Sequence, residues 1–274
     1  MPNPAFDGRD EIADSTIGDG DPDPSGGDGD PTTGEPTTGE PTTGEPTTGD
    51  GDGDPTTGDG DGDACELGLE VCADGCFDLD WDDEHCGSCT NVCGVDELCG
   101  YGICNRVRFA FVSTHLFSGA EASSGDAASK CTALAQDAGL PGSYRAWLSD
   151  AEQVPAVDLY ADPVVFLRPD GWAVAWSWAE LVGGDLAQPI NLDQDAQPLP
   201  SIPVDCGEGV TLDNAVWTGT TNDGQPAAAN CEDWSVESLT TKGVAGNAQS
   251  SELWSDAGCL VSCLASLPVY CVQD

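Results

Sequence analysis

The chain has 274 residues, of which 50 are acidic and 7 are basic, so its formal net charge at pH 7 is −43. Binding to phosphate-rich partners requires Lys and Arg to displace counterions, so this charge makes nucleic acid and anionic membrane surfaces poor partners, and no nucleic-acid binding is expected. The sequence has no run of about 18 apolar residues and therefore predicts no transmembrane segment.

Residues 1–64 form an acidic Gly/Asp/Pro/Thr linker that contains the repeat PTTGE. Aromatic and aliphatic residues are almost absent, so burial cannot offset the roughly 1–2 kcal/mol per residue that backbone ordering costs. The sequence predicts a disordered spacer that holds the rest of the chain away from a surface, or an acidic stalk that carries Thr-linked glycans.

The end of this linker partly matches a calcium-binding loop. Asp59, Asp61 and Asp63 have the spacing of the first three ligands, and Glu70 falls at the twelfth position. Ala64 occupies the place of the Gly that such loops need for their turn, and Gly-Asp runs match this pattern by chance. Weak, diffuse binding of divalent cations is favoured over a dedicated calcium site.

The 14 cysteines fall into two groups with even counts, so every thiol can pair within its own group. Such density indicates an oxidising compartment and an extracellular or cell-surface protein, with an export leader expected upstream of this start or already removed. The first group is Cys65, Cys72, Cys76, Cys86, Cys89, Cys93, Cys99 and Cys104, and the second is Cys131, Cys206, Cys231, Cys259, Cys263 and Cys271.

Residues 65–104 are predicted to be a small module stabilised by disulfides, because forty residues cannot form a sufficient hydrophobic core. Eight cysteines allow 105 pairings, and the sequence does not choose between them. Two alternatives are less favoured. Cys86 and Cys89 could form a redox pair, and Cys86, Cys89 and Cys93 with His85 could hold zinc.

The run DDEHCGSCTNVCGVDELCGYGIC carries a C-G-x-C-x-N-x-C core made by Cys86, Gly87, Cys89, Asn91 and Cys93. This core resembles the cysteine-rich modules first described in plant stigma-specific proteins. The resemblance covers this module alone. It implies an extracellular setting and no particular activity.

Residues 105–274 have a mixed α+β pattern. Residues 106–114 are predicted to form a strand with Val107, Phe109 and Phe111 on one face. Ser123 or Ser124 is expected to cap a helix that runs to about residue 138 and ends at Gly139 and Pro141. Short apolar runs follow at residues 144–148, 164–167, 215–217 and 267–272.

Four motifs in this part occur in the order and at the spacings of endostatin: KCTALAQDAGLPGSYRAWLSD, VWTGTTNDG, NCEDW and SCLASLPVYC. Residues 105–274 resemble endostatin, and more closely a bacterial family of endostatin-like domains found on secreted proteins and lipoproteins. The resemblance implies a C-type-lectin-like fold. It also implies that Cys131 pairs with Cys271 and Cys231 with Cys263. Cys206 and Cys259 are then left as an additional bridge that fastens the insertion at residues 183–214 to the loop before the final strand.

Several functional features of these families have no match here. The few basic residues are scattered, so heparin binding is not expected, and the zinc-binding histidines of endostatin and the calcium-binding motifs of sugar-binding lectins are missing. Asn222, Asp223, Glu232 and Asp233 are the nearest approach to an oxygen-rich ion or ligand site. An ordinary turn at TNDG is favoured over that site.

The segment GWAVAWSWAE places three tryptophans close together, and an extended strand would put Trp172, Trp176 and Trp178 on one face. Such a row could be a platform for a sugar ring. Core packing is favoured, because aromatic residues supply most of the burial in small cores. The motif residues Trp147, Trp217 and Trp234 are likewise predicted to be core.

Catalytic signatures are lacking, since the sequence contains no G-x-S-x-G elbow, H-E-x-x-H helix or phosphate-binding glycine loop. We therefore expect a non-catalytic adhesion or binding module that recognises an extracellular protein or glycan, with no obligatory cofactor and calcium as an open option. One alternative is a purely structural envelope or matrix component. The other is a polysaccharide hydrolase that uses two of the many carboxylates.

Overall fold

The computed structural model describes residues 65–151, 153–154 and 163–274, and all of them belong to one compact unit. The predicted linker and three of the four residues of the calcium-loop match lie outside this range. The described residues form the following strands and helices: β1 Glu70–Cys72, β2 Gly75–Phe77, β3 Glu97–Gly100, β4 Ile103–Val112, α1 Ser124–Asp137, β5 Tyr144–Ala146, β6 Val164–Leu167, β7 Ala173–Ala175, α2 Trp178–Gly183, β8 Val204–Gly207, β9 Val210–Leu212, β10 Ala215–Trp217, α3 Cys231–Trp234, β11 Lys242–Asn247, β12 Cys259–Ser262 and β13 Tyr270–Gln273.

The largest sheet has six strands and is organised around β4. Its order is β5-β13-β4-β6-β7, with β3 paired to the first part of β4. The pairing of β4 with β6 is parallel, and its pairings with β3 and β13 are antiparallel. The second half of β4 is covered on both faces, because Phe111 enters one apolar core while Ala110 and Val112 enter another.

The strand β4 also joins the cysteine module to the rest of the chain. It is longer than the predicted strand at its amino-terminal end, and it pairs there with β3 from Glu97↔Arg106 to Gly100↔Ile103. The predicted boundary between residues 104 and 105 therefore falls inside a continuous strand. We call residues 65–104 the module and residues 105–274 the globular part.

Helix α1 forms where the sequence predicts it. The Ser123 side chain caps its amino terminus by accepting a hydrogen bond from the backbone N–H of Asp126, and the cap at the other end is Ala138. Ala127, Cys131 and Ala135 are fully buried at four-residue spacing, so one face of the helix packs against the core.

Two apolar cores fill the globular part. The first lies under α1 and contains Trp217 and Trp234, and the second contains Trp147, Trp178 and Trp254. A second sheet with the order β10-β11-β12 contributes to both cores. The prediction that Trp147, Trp217 and Trp234 are core residues is confirmed, since each is at most 1% exposed.

All 14 cysteines are paired. The module contains Cys65–Cys76, Cys72–Cys89, Cys86–Cys99 and Cys93–Cys104, and the globular part contains Cys131–Cys271, Cys206–Cys259 and Cys231–Cys263. The last three are the pairs that the resemblance and the remaining cysteines led us to expect. Cys259 begins β12 rather than lying in a loop, so its bridge joins the β8–β9 hairpin to the second sheet.

Within the part of the chain that the structure describes, none of the helices has the length and apolar character needed to cross a membrane.

Candidate binding surface

The predicted turn at residues 221–225 is present and is stabilised by its own polar groups. The backbone N–H of Thr221 donates to the Gln225 carbonyl, and the Thr221 hydroxyl donates to the Asp223 carboxylate. This side-chain hydrogen bond lowers the pKa of Asp223. The Asn222 side chain is also engaged, because its oxygen accepts from the backbone N–H of Asp256 at 3.0 Å and its amide donates to the Asp256 carbonyl at 3.3 Å.

Glu232 and Asp233 lie in a left-handed turn. The four residues of α3 have φ values of 53° to 55°, a conformation that costs L-residues roughly 1–2 kcal/mol each. The Cys231–Cys263 bridge and the Trp234 ring hold the turn in place, since the indole N–H donates to the Ser149 carbonyl at 3.0 Å. Both acidic side chains point to solvent.

The carboxylates of Asp223, Glu232 and Asp233 do not converge. Among the described residues, the one group of three or more Cys, His, Asp or Glu side chains with ligand atoms within 4.8 Å of one another consists of Cys86, Cys93 and Cys104. Asp233 forms instead a local pair with Asn230, whose amide donates to it at 2.9 Å. The arrangement is one of two solvated turns, not of a preformed cage for an ion.

Both alternative interpretations of the module cysteines, a redox pair and a zinc site, are wrong. Cys86 and Cys89 are bonded to Cys99 and Cys72 rather than to each other, so CGSC is not a redox pair. A zinc site is excluded for the same reason, because a sulfur in a disulfide is not a thiolate ligand.

The expectation that Trp172, Trp176 and Trp178 share one face is also wrong. Strand β7 ends at Ala175, and Ser177 caps α2 by accepting from the backbone N–H of Glu180 at 3.0 Å. Trp178 therefore begins a helix and is buried in the second core, next to Trp147. Trp172 stays half exposed at the other end of β7.

Trp176 lies in an aromatic cluster that joins the module to the globular part. Its ring contacts Trp81 edge-on, with 4.9 Å between centroids, and Tyr101 at 6.1 Å. Trp81 and Tyr101 contact each other at 5.0 Å. We call Trp81, Tyr101 and Trp176 the aromatic cluster. Trp81 is 45% exposed and Tyr101 is 61% exposed, so the cluster lies at the surface.

Gly100 leaves the space in the module that the Trp176 ring occupies. A Cβ atom on Gly100 would lie 2.5 Å from the Trp176 ring, so only glycine permits this contact. The loop that carries Trp81 is tied to the turn that carries Tyr101, because the backbone N–H of Gly102 donates to the Asp80 carbonyl at 3.2 Å. This hydrogen bond sets the spacing of the two backbone segments that carry the exposed rings.

The surroundings of the cluster are strongly acidic. Residues 65–104 contain ten Asp and Glu and neither Lys nor Arg. Trp81 lies within the segment DLDWDDE at residues 78–84. Asp80 is exposed, and its carboxylate lies beside the Tyr101–Gly102 turn, 3.3 Å from where a Cβ on Gly102 would be.

The one histidine of the module is held between two carboxylates. The His85 ring stacks on Phe77, and its nitrogens lie 3.1 Å from Asp82 and 3.4 Å from Asp74. Burial lowers the pKa of His85, but the hydrogen bonds to Asp82 and Asp74 outweigh it and raise the pKa above the usual 6.5. Through these two contacts the ring links the β1–β2 hairpin, which carries Asp74, to the loop that carries Asp82.

Comparison with known proteins concerns this same region. Residues 54–107 match the Stigma-specific STIG1-like protein family, and the described part of that segment contains the four module disulfides. The chain therefore contains a STIG1-like cysteine-rich module, over about a fifth of its length. Curated proteins give no significant match to the chain. The many disulfides and this module are consistent with an extracellular protein.

Sequence reasoning identified Trp176 as a candidate but missed its partners. Trp81 and Tyr101 were recognisable only as large residues in a module that cannot bury them. The signal that could have found them is a tryptophan in the middle of five acidic residues, since such a segment stays at the surface.

Proposed function

We propose that this protein is an extracellular, non-catalytic binding or adhesion protein that recognises a protein or glycan through its surface. The observation that carries the proposal is the exposed aromatic cluster, to which the module and the globular part both contribute. Aromatic side chains are enriched where proteins bind partners, because they bury a large area with few rotatable bonds.

We further propose that residues 105–274 have an endostatin-like, C-type-lectin-like fold. The nested bridges Cys131–Cys271 and Cys231–Cys263 support it, because the resemblance implies this same pairing. The proposal is for the fold alone, since unrelated functions share one fold and the ligand must be argued from the site.

A sugar ring does not fit the pocket that the structure describes in the globular part, so the proposal places the ligand on the surface. A pocket between β4, β10 and the loops at residues 191–202 has a volume of only about 10 Å³. That space holds roughly one water molecule and no sugar ring.

The test is binding of the purified, oxidised chain to immobilised extracellular matrix proteins and to a glycan array, each with calcium and with a chelator. We expect saturable binding to at least one ligand class, unchanged by the chelator, because the candidate carboxylates do not converge on an ion. Binding in neither condition would favour the purely structural component. Turnover of a polysaccharide panel would instead identify a hydrolase.

A further inference from the structure

We propose that the aromatic cluster docks a basic segment of an extracellular protein partner, with Arg or Lys side chains packed over the rings of Trp81 and Tyr101. This inference rests on the proposed binding function and specifies its ligand class. The basic segment would bind at the junction between the module and the globular part.

The first argument is the placement of the rings. A single exposed apolar residue needs no explanation, but two exposed aromatic rings in mutual contact, backed by a third, form a patch that a folded protein would otherwise bury. The contacts of Gly100 and Gly102 tie together the backbone segments that carry the rings. Less of the backbone therefore has to be ordered on binding, which lowers the entropic cost.

The second argument is charge. The module has ten acidic residues and neither Lys nor Arg, and the exposed carboxylate of Asp80 lies beside the Tyr101–Gly102 turn. This field attracts a cationic partner and steers its approach. It repels a second copy of the same chain, which carries the same charge, and it repels anionic polysaccharides.

The third argument is chemical complementarity. A guanidinium or ammonium group is attracted to the negative face of an aromatic ring, most strongly to that of Trp. Arg can stack flat on the indole of Trp81 while its N–H groups reach the Asp80 carboxylate. A neutral sugar can stack on the rings and donate its hydroxyls to these carboxylates, but it gains nothing from the negative field, whereas a cationic side chain does.

The experiment measures the affinity of the full oxidised chain for an oligo-arginine peptide at near-physiological ionic strength, by calorimetry. A Gly-Ser peptide of equal length and a neutral oligosaccharide are the comparison probes. Trp81→Ala should weaken oligo-arginine binding about threefold to fivefold, the effect of one surface cation–π contact. The net charge of the chain does not change, so a loss cannot come from the acidic field alone.

Two further variants keep the test decisive. Tyr101 has a φ of 54°, a conformation that Asn tolerates, so Tyr101→Asn removes the ring without straining the backbone and should weaken binding to a similar extent. Leu264→Ala is the matched control. Leu264 is as exposed as Trp81, at 45%, but lies after β12, and its variant should bind like the wild type.

Hydrogen exchange of residues 65–104 for Trp81→Ala and Tyr101→Asn, and of residues 105–274 for Leu264→Ala, verifies that each variant is folded. If Trp81→Ala is not folded, Tyr101→Asn decides the outcome. Equal affinity of wild type, Trp81→Ala and Tyr101→Asn for oligo-arginine would overturn the inference and leave only diffuse attraction by the acidic field. Binding of the neutral oligosaccharide that is lost in both variants would assign the cluster to a glycan instead. In either case, binding to matrix proteins or glycans would leave the proposed function intact, whereas no binding to any ligand would overturn both.

Discussion

The module and the globular part reach a stable structure by different means. Among the described residues of the module, the only buried apolar side chains are the half-cystines Cys86 and Cys99. The globular part buries two apolar cores with five fully or nearly fully buried tryptophans. The module also carries half of the exposed large hydrophobic residues in the described structure, including both exposed rings of the aromatic cluster. Cross-links thus allow apolar groups to stay at the surface, where a partner can reach them.

The largest effect is expected from the longest bridge. Cys131–Cys271 joins α1 to β13 across a sequence separation of 140 residues, and both sulfurs are buried in the first core. Replacing both cysteines with serine should lower the free energy of unfolding by about 5 kcal/mol, because the unfolded chain gains loop entropy. Denaturant unfolding of the globular part measures this. A loss below about 1 kcal/mol would contradict the role of this bridge.

A smaller but more local effect is expected in the module. Cys86–Cys99 closes a loop with a sequence separation of 13, so its removal should cost about 3 kcal/mol. No apolar core remains there to compensate, and residues 65–104 should lose protection from hydrogen exchange while residues 105–274 keep theirs. Equal loss of protection in the module and in the globular part would contradict the expectation that only the module depends on this bridge.

The contact between the two parts is tested by Gly100→Ala. The added methyl group would overlap the Trp176 ring, so we expect a loss of about 1–3 kcal/mol and displacement of Trp176 from the cluster. The matched control is Gly125→Ala in α1, where a Cβ meets nothing within 4 Å, and which should be neutral or slightly stabilising. Thermal unfolding of both variants provides the comparison, and equal melting temperatures would contradict the packing described.

The smallest expected effect is a pH dependence of the module. Because the folded-state pKa of His85 is raised above 6.5, its contribution to stability is complete below that pH and is lost as the pH rises through the folded-state value. Among the described residues, only Asp74 and Asp82 contact the ring nitrogens. The protection factors of the module, corrected for the intrinsic rise of the exchange rate with pH, should therefore fall above neutral pH in the wild type and fall less in His85→Asn.

His115 is the control for this titration. Burial lowers its pKa, so its contribution to stability depends on pH in the opposite direction to that of His85. A His115→Asn variant should keep the pH dependence of the module. If it abolished that dependence, the link between His85 and its two carboxylates would be refuted.

The sequence predicted features that depend on local patterns. Helix α1 and its Ser123 cap follow from residue periodicity and capping chemistry, whereas the buried motif tryptophans followed from the resemblance. The bridges of the globular part followed from a resemblance and from an even count of cysteines. The pairing within the module could not be predicted, because the sequence allows 105 combinations. Even in the folded chain, several partners are within reach, since the sulfurs of Cys86, Cys93 and Cys104 lie within 4.8 Å of one another.

Features that depend on tertiary contacts were missed. Helix α2 starts at Trp178, so the alternation of side-chain faces along β7 does not continue to this residue. The left-handed turn at Glu232 and Asp233 exists because the Cys231–Cys263 bridge and Trp234 hold it. The aromatic cluster joins residues that are 75 or more positions apart from Trp176, and no local pattern encodes such a contact. The candidate surface therefore became visible only when the chain was folded.

A non-reducing peptide map of the native protein tests the disulfide framework directly. We expect seven disulfides with no free thiol, including Cys86–Cys99 and Cys93–Cys104 as separate bridges. Free thiols, or Cys86 bonded to Cys93 or Cys104, would contradict it, because the cross-links would then no longer hold Trp81 and Tyr101 in the surface on which the proposed binding depends.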